Sequence, residues 1–342
     1  MITDTDRAVC GSRISFSEPG CKVALQIAYN SCKMPLNLSM IERGIDMNPF
    51  VLSCSSTIDQ PKAFFEERGI PYICFRWISD DGEAHLDDLG ESLSFEAFYE
   101  RMKNGALPTT SQPNFQDFTD FFESFLRDGK DVLHIELSSA ISGAYSGAVS
   151  AANALKETYP ERRIEIIDSK NASMGYAMIM DAVWQRKQAG MPFEDCVRFA
   201  EACRERAVSL FYSTDLTWYV RGGRVKPIAG LIGNMLNICP ILHIDREGAL
   251  IPHAKVRGKG KAAKDIVKQM EELSEHANDY DGPVYIVHSD CLEEAQHLGQ
   301  MIAAQFPKVQ RPIHITSIGC VIGSHTGPGT VAVAFWGDQK LG

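Results

Sequence analysis

No CxxC pair occurs in this chain, and its histidines and cysteines do not cluster at zinc-like spacing. That pattern speaks against a structural zinc site or a thioredoxin-type redox centre. No apolar run reaches the roughly 18 residues that would argue a membrane span. The N-terminus has no basic region followed by a hydrophobic segment, so no secretory signal is visible. Positive charge is in deficit: 34 Lys and Arg stand against 44 Asp and Glu, a net charge of −10. A nucleic-acid groove would then need a local basic patch. The most basic stretch is KVRGKGKAAK, Lys255 to Lys264, which reads as a solvated face or a surface for an acidic partner. Nucleotide motifs are missing too. RGGR and RGKGK fit neither the Rossmann nor the P-loop glycine spacing, and GAYSG is not the GxSxG elbow.

What remains is ordinary globular material. The 342 residues are 44% hydrophobic and 23% charged, which suggests two domains with ample cores. Several of the ten cysteines sit in apolar runs, such as Cys74, Cys239 and Cys320. Free buried thiols in a reducing cytosol are the simplest account, so a cytoplasmic protein without bound metal is expected.

Residues 1–46 mix Ser, Cys, Asp, Arg and Gly without sustained period and read as an extension outside the folded core. From Met47 the pattern sharpens. PFVLSCS reads as a strand, QPKAFFEERG as a helix between Pro61 and Gly69, and PYICFRWI as a second strand. A helix is predicted after Asn114, which with Asp117 has the spacing of a capping box. DVLHIEL and RRIEIIDS continue the strand–helix alternation. Residues 47–205 are therefore predicted to form a parallel-sheet α/β/α domain. Residues 206–342 hold six strand-like segments with helices between some of them. They read as a second α/β domain with a mixed sheet.

Four loops rich in small residues could carry chemistry. VLSCSSTID, LSSAISGAY and DSKNASMGY follow strands of the first domain, where open parallel sheets bind ligands. Each leads into a helix whose first N–H groups favour an anion. The fourth, PTTSQP, sets Thr109, Thr110 and Ser111 between two prolines in a stiff loop. In the second domain, Arg221 and Arg224 flank Gly222-Gly223, and His325 lies in the turn IGSHTGPGT, where exposure is expected. Ser139 with His325 could imitate a hydrolase, although no Asp is placed by sequence to orient the histidine.

Five of these segments, in order, resemble the DegV family of fatty-acid-binding proteins: TTSQPN at Thr109–Asn114, LSSAISGAY, DSKNASMG, the run from RGGRVKP to GKGKA, and IGSHTGPGTVAVAFWG. The resemblance covers about Met47 to Gly342. It implies a two-domain DegV-like fold with a long-chain fatty acid between the domains and no other cofactor. It also implies that Thr110 with Ser111, and Ser139 with Ser142 nearby, hold the carboxylate, while Arg224 and His325 lie near the head group. Such proteins present the acyl chain to a separate fatty acid kinase with a dihydroxyacetone-kinase-like domain and are not themselves catalysts. A serine hydrolase or acyl-transfer enzyme using Ser139 and His325 is the alternative. LIGNMLNICPIL, Leu231 to Leu242, could wall the acyl tunnel or be plain core. One position departs: the family's first strand usually ends in an Asp-Ser run, and Ser55 stands where the leading Asp is expected.

Overall fold

The computed structural model describes residues 50–226 and 238–342; residues 1–49 and 227–237 lie outside it, and with them the proposed extension and most of the LIGNMLNICPIL segment. The strand–helix alternation of the first half builds a four-stranded parallel sheet in the order β2-β1-β6-β7. Its strands are β1 (Phe50–Ser55), β2 (Tyr72–Ile73), β6 (Asp131–Glu136) and β7 (Ile164–Asp168). Helix α1 (Lys62–Arg68) starts after Pro61 and ends on Gly69 in the left-handed conformation, at φ 59°. Helix α3 (Phe115–Arg127) has the expected capping box. Asn114 accepts from the Asp117 N–H, and the Asp117 side chain accepts from the Asn114 N–H. Helices α2 (Phe95–Lys103), α4 (Ala144–Thr158), α5 (Ser173–Gln188) and α6 (Phe193–Arg204) complete this half.

Two short segments differ from the sequence reading. PYICFRWI is two strands, not one: Tyr72–Ile73 joins the parallel sheet, and β3 (Arg76–Ile78) leaves it for a separate antiparallel sheet with β4 (Ala84–Leu86) and β5 (Thr109–Ser111). PTTSQP is therefore not a free loop. Its three hydroxyl residues are β5, with Thr110 paired opposite Trp77.

The second half forms a six-stranded mixed sheet in the order β10-β9-β8-β13-β11-β12. Its strands are β8 (Ala207–Tyr212), β9 (Ile238–Ile244), β10 (Leu250–Arg257), β11 (Tyr285–His288), β12 (His314–Ser317) and β13 (Val331–Trp336). Only β11 and β12 run parallel. Helices α7 (Thr217–Arg221), α8 (Lys259–Leu273), α9 (Leu292–Gln305) and α10 (Cys320–Thr326) lie between them. Helix α5 binds the two sheets together. It is buried almost all round, from Met174 to Met180 and at Val183, as expected of a helix lacking a polar face. It packs on β8, β11 and β13 of the second sheet. Cys239 and Cys320 are buried free thiols, as is Cys54, whereas Cys74 is only partly buried. No helix among the described residues is long and apolar enough to cross a membrane.

Candidate functional site

A cavity of about 330 Å³ opens where the C-terminal ends of the parallel strands face the mixed sheet. This is at the small end for a ligand pocket. Most of its wall is apolar: Phe75, Leu137 and Met174 from the first half, and Phe211, Ile244 and Val287 from the second. Val321 and Ile322 on α10 continue that wall. Polar groups gather from four segments: Thr110 and Ser111 of β5, Ser142 of the loop after β6, Arg224 just after α7, and His325 of α10.

These groups hold one another. Thr110 Oγ1 lies 2.8 Å from His325 Nε2. Ser142 Oγ donates to Gln112 Oε1 at 3.1 Å, which ties the β5 segment to the loop after β6. Gln112 also fills the space beside Gly143, where an added Cβ would come 3.0 Å from its Nε2. Nothing in the TTSQPN motif alone assigns Gln112 this role. Ser111 Oγ makes only a 3.4 Å bond to the Gln112 carbonyl.

His325 is half-buried rather than exposed, because IGSHTG is not a turn between strands but part of α10, whose last residues face the cavity. Burial, with Arg224 and then Arg221 nearby, pushes its pKa down to about 4. The ring is therefore neutral at pH 7. Its Nδ1 has no hydrogen-bond partner among the described residues and faces Gly222, where a Cβ would come within 2.3 Å. With the ring proton on Nε2, His325 donates to Thr110 and leaves the Thr110 hydroxyl proton for a ligand. The lowered pKa carries a sign. The unfolded chain takes up the proton near pH 6.5 and the folded one only near pH 4. Stability is therefore full above about 6.5 and lost as pH falls towards 4. Relative to His325→Gln, which does not titrate, the wild-type chain should lose on the order of 2 kcal/mol across that window. Parallel pH–denaturation profiles of the two proteins would refute this.

Arg224 completes the polar end. Its Nε donates to the Ile141 carbonyl at 3.1 Å and its Nη1 to the Gly222 carbonyl at 2.5 Å. No carboxylate pairs with it among the described residues, and burial lowers its pKa. Arg221 likewise donates to a carbonyl, that of Pro108, at 2.7 Å. Arg224 thus stands at one end of a mostly apolar cavity with no ion-pair partner among the described residues, an arrangement that fits an amphiphile with an anionic head, while Arg221 is exposed and does not line the cavity.

The sequence matches the family model described as an uncharacterised protein of the DegV family over residues 52–338. This chain belongs to the DegV family. It is 34% identical over 294 residues to a DegV domain-containing protein of Clostridium perfringens, covering 86% of this chain and 99% of that protein. The structure is similar to the DegV-family protein of Thermus thermophilus described for its fatty acid binding, with TM-score 0.74, 25% identity and coverage of 84% and 99% of the two chains. It is also similar to DegV of Bacillus subtilis, a fatty acid binding protein, with TM-score 0.71, 26% identity and coverage of 85% and 100%.

Within this DegV chain, Thr110, Ser111, Ser142, Arg224 and His325 come together around the cavity, and Ser139 does not line it. Ser139 is an exposed residue whose hydroxyl donates to Asp168 Oδ2 at 2.5 Å. Ser55, which stands where the family's Asp is expected, is fully buried, and a carboxylate reaches it from the neighbouring strand. Its Oγ donates to Glu136 Oε1 at 2.8 Å. The same oxygen accepts from the Leu137 N–H at 2.7 Å, and Glu136 Oε2 lies 3.1 Å from His134 Nε2. Among the described residues no three His, Cys, Asp or Glu side chains group as metal ligands.

Proposed function

We propose that this chain binds a long-chain fatty acid between a first domain, residues 47–205, and a second, residues 206–342, and presents its carboxylate to a separate ATP-dependent kinase with a dihydroxyacetone-kinase-like domain. The observation that carries the reading is Arg224, a half-buried cation without a carboxylate partner among the described residues, at the polar end of a cavity whose remaining wall is apolar. Thr110, Ser111 and Ser142 place hydroxyls beside it that could turn to a ligand, and His325 orients Thr110. The apolar wall supplies affinity. Each buried methylene contributes about 0.8 kcal/mol, so some fifteen could contribute roughly 12 kcal/mol before the costs of binding.

The hydrolase alternative needs Ser139 and His325 to act as nucleophile and base. Ser139 instead bonds Asp168, and His325 meets Thr110. On the reading proposed here the chain is a carrier, and its partner performs the chemistry. The deciding assay combines the purified chain, a fatty acid, ATP and such a kinase. Acyl phosphate should form only when all are present. Hydrolysis of acyl esters by the chain alone would favour the enzyme instead.

A further inference from the structure

Helix α10 carries His325 near its C-terminal end, and its N-terminal end is gripped by two buried carboxyl groups from the other half of the chain. Asp59 Oδ1 accepts from the Gly319 N–H at 2.9 Å, and Asp87 Oδ1 accepts from the Cys320 N–H at 3.2 Å. Asp59 is 4% exposed and Asp87 2%, and neither lines the cavity. The first N–H groups of a helix have no partner within it. Here they are satisfied by side chains 260 and 233 positions away. Neighbouring contacts reinforce the grip. Thr316 Oγ1 donates to the Asp59 carbonyl at 2.8 Å, and Tyr99 Oη donates to the Ile318 carbonyl at 3.0 Å.

The fit leaves little slack. A Cβ on Gly319 would come 3.0 Å from Asp59 Oδ1 and 3.2 Å from Asp87 Oδ1, and one on Gly323 would come 2.5 Å from Tyr99 Oη. At the other end, Gly222 backs the His325 ring, and a Cβ on Gly327 would come 2.1 Å from the Trp218 ring. A helix of seven residues spans only about 10 Å. A shift at its start therefore reaches His325, and a shift of an ångström would break the 2.8 Å contact with Thr110. Burial pushes both carboxyls up, Asp59 to about 8 and Asp87 to about 7, while their bonds to the backbone at the start of α10 pull the other way.

We propose, resting on the fatty-acid reading above, that Asp59 and Asp87 are positioning residues for the head-group site: through α10 they set where His325 meets Thr110, and so how well the site reads a carboxylate. Neither touches the ligand. Their loss should blunt the preference for acid over ester while leaving the apolar wall in place.

The test uses the full chain and fluorescence displacement by oleate and by methyl oleate, with melting temperatures alongside. Asp87→Ala should weaken oleate at least tenfold and methyl oleate less than threefold. Asp87→Asn keeps an acceptor oxygen for the Cys320 N–H and should restore most of the oleate affinity. Gly319→Ala, which crowds both carboxyl groups, should lower the acid-to-ester ratio in the same direction, and it decides the matter if Asp87→Ala does not fold. Parallel loss of both ligands in step with melting temperature, or failure of Asp87→Asn to restore oleate, would overturn the inference. So would a wild-type preference for acid that persists in the Asp87→Ala and Gly319→Ala variants. A wild-type chain without any preference would instead overturn the fatty-acid reading itself, and this inference with it.

Discussion

Glu136→Ala should be among the most destabilising single changes in this chain, costing about 3–5 kcal/mol and lowering the melting temperature by on the order of ten degrees. Glu136 is fully buried and offers its oxygens to three partners: the Ser55 hydroxyl, the Leu137 amide and the His134 ring. His134 in turn meets the Ser53 hydroxyl at 3.0 Å. Removing the carboxylate takes the acceptor from the Leu137 amide and the partner from His134 Nε2, while Ser55 keeps Thr57 Oγ1 at 2.9 Å, and each buried orphan costs about 1–3 kcal/mol. Glu136→Gln keeps the acceptor oxygen and should cost far less. The network also explains how a serine is tolerated at position 55: the carboxylate comes from β6 instead of β1. That account makes a reciprocal prediction. Ser55→Asp alone should destabilise, because it sets a second carboxylate against Glu136. Ser55→Asp combined with Glu136→Ala should recover at least half of what Glu136→Ala loses. Chemical denaturation of the four proteins measures this, and simple additivity of the two single changes would contradict it.

The second large effect concerns ligand binding. Thr110→Ala with Ser142→Ala removes two hydroxyls from the polar end and should weaken oleate by roughly a hundredfold to ten-thousandfold, taking about 1.5–3 kcal/mol for each hydrogen bond to a charged group. Methyl oleate should lose much less, and the fold should survive, since Thr110 and Ser142 are only half-buried. Ser139→Ala separates this geometry from the sequence expectation. Ser139 does not line the cavity, so its effect on oleate should be the smaller one. A larger loss from Ser139→Ala than from Ser142→Ala would mean that the loop after β6 presents its other serine to the head group.

The sequence carried the alternation of strands and helices well, because long periodic segments such as FQDFTDFFESFL state their own structure. It carried the polar end of the site as residue types in quoted motifs. It failed where distant contacts decide the local conformation. CVIGSHT is a short apolar run of ambiguous period, and it becomes helix because Asp59 and Asp87 satisfy its first amides from far along the chain. The misjudged exposure of His325 follows from that same error. PYICFRWI looks like one strand, yet the chain turns out of the parallel sheet at Cys74 and Phe75, and Phe75 enters the cavity wall. Ser142 lines the cavity and Ser139 does not, and each is held there by a bond to a residue far along the chain, Gln112 and Asp168, 30 and 29 positions away. No local rule separates two serines three residues apart in one loop.

Native mass spectrometry of the purified full-length chain tests the central claim most directly, as isolated and after incubation with palmitate or oleate. The account predicts one fatty acid per chain, retained in the gas phase, with occupancy lowered in Arg224→Ala. A wild-type chain that stays at its bare mass under both conditions would contradict it.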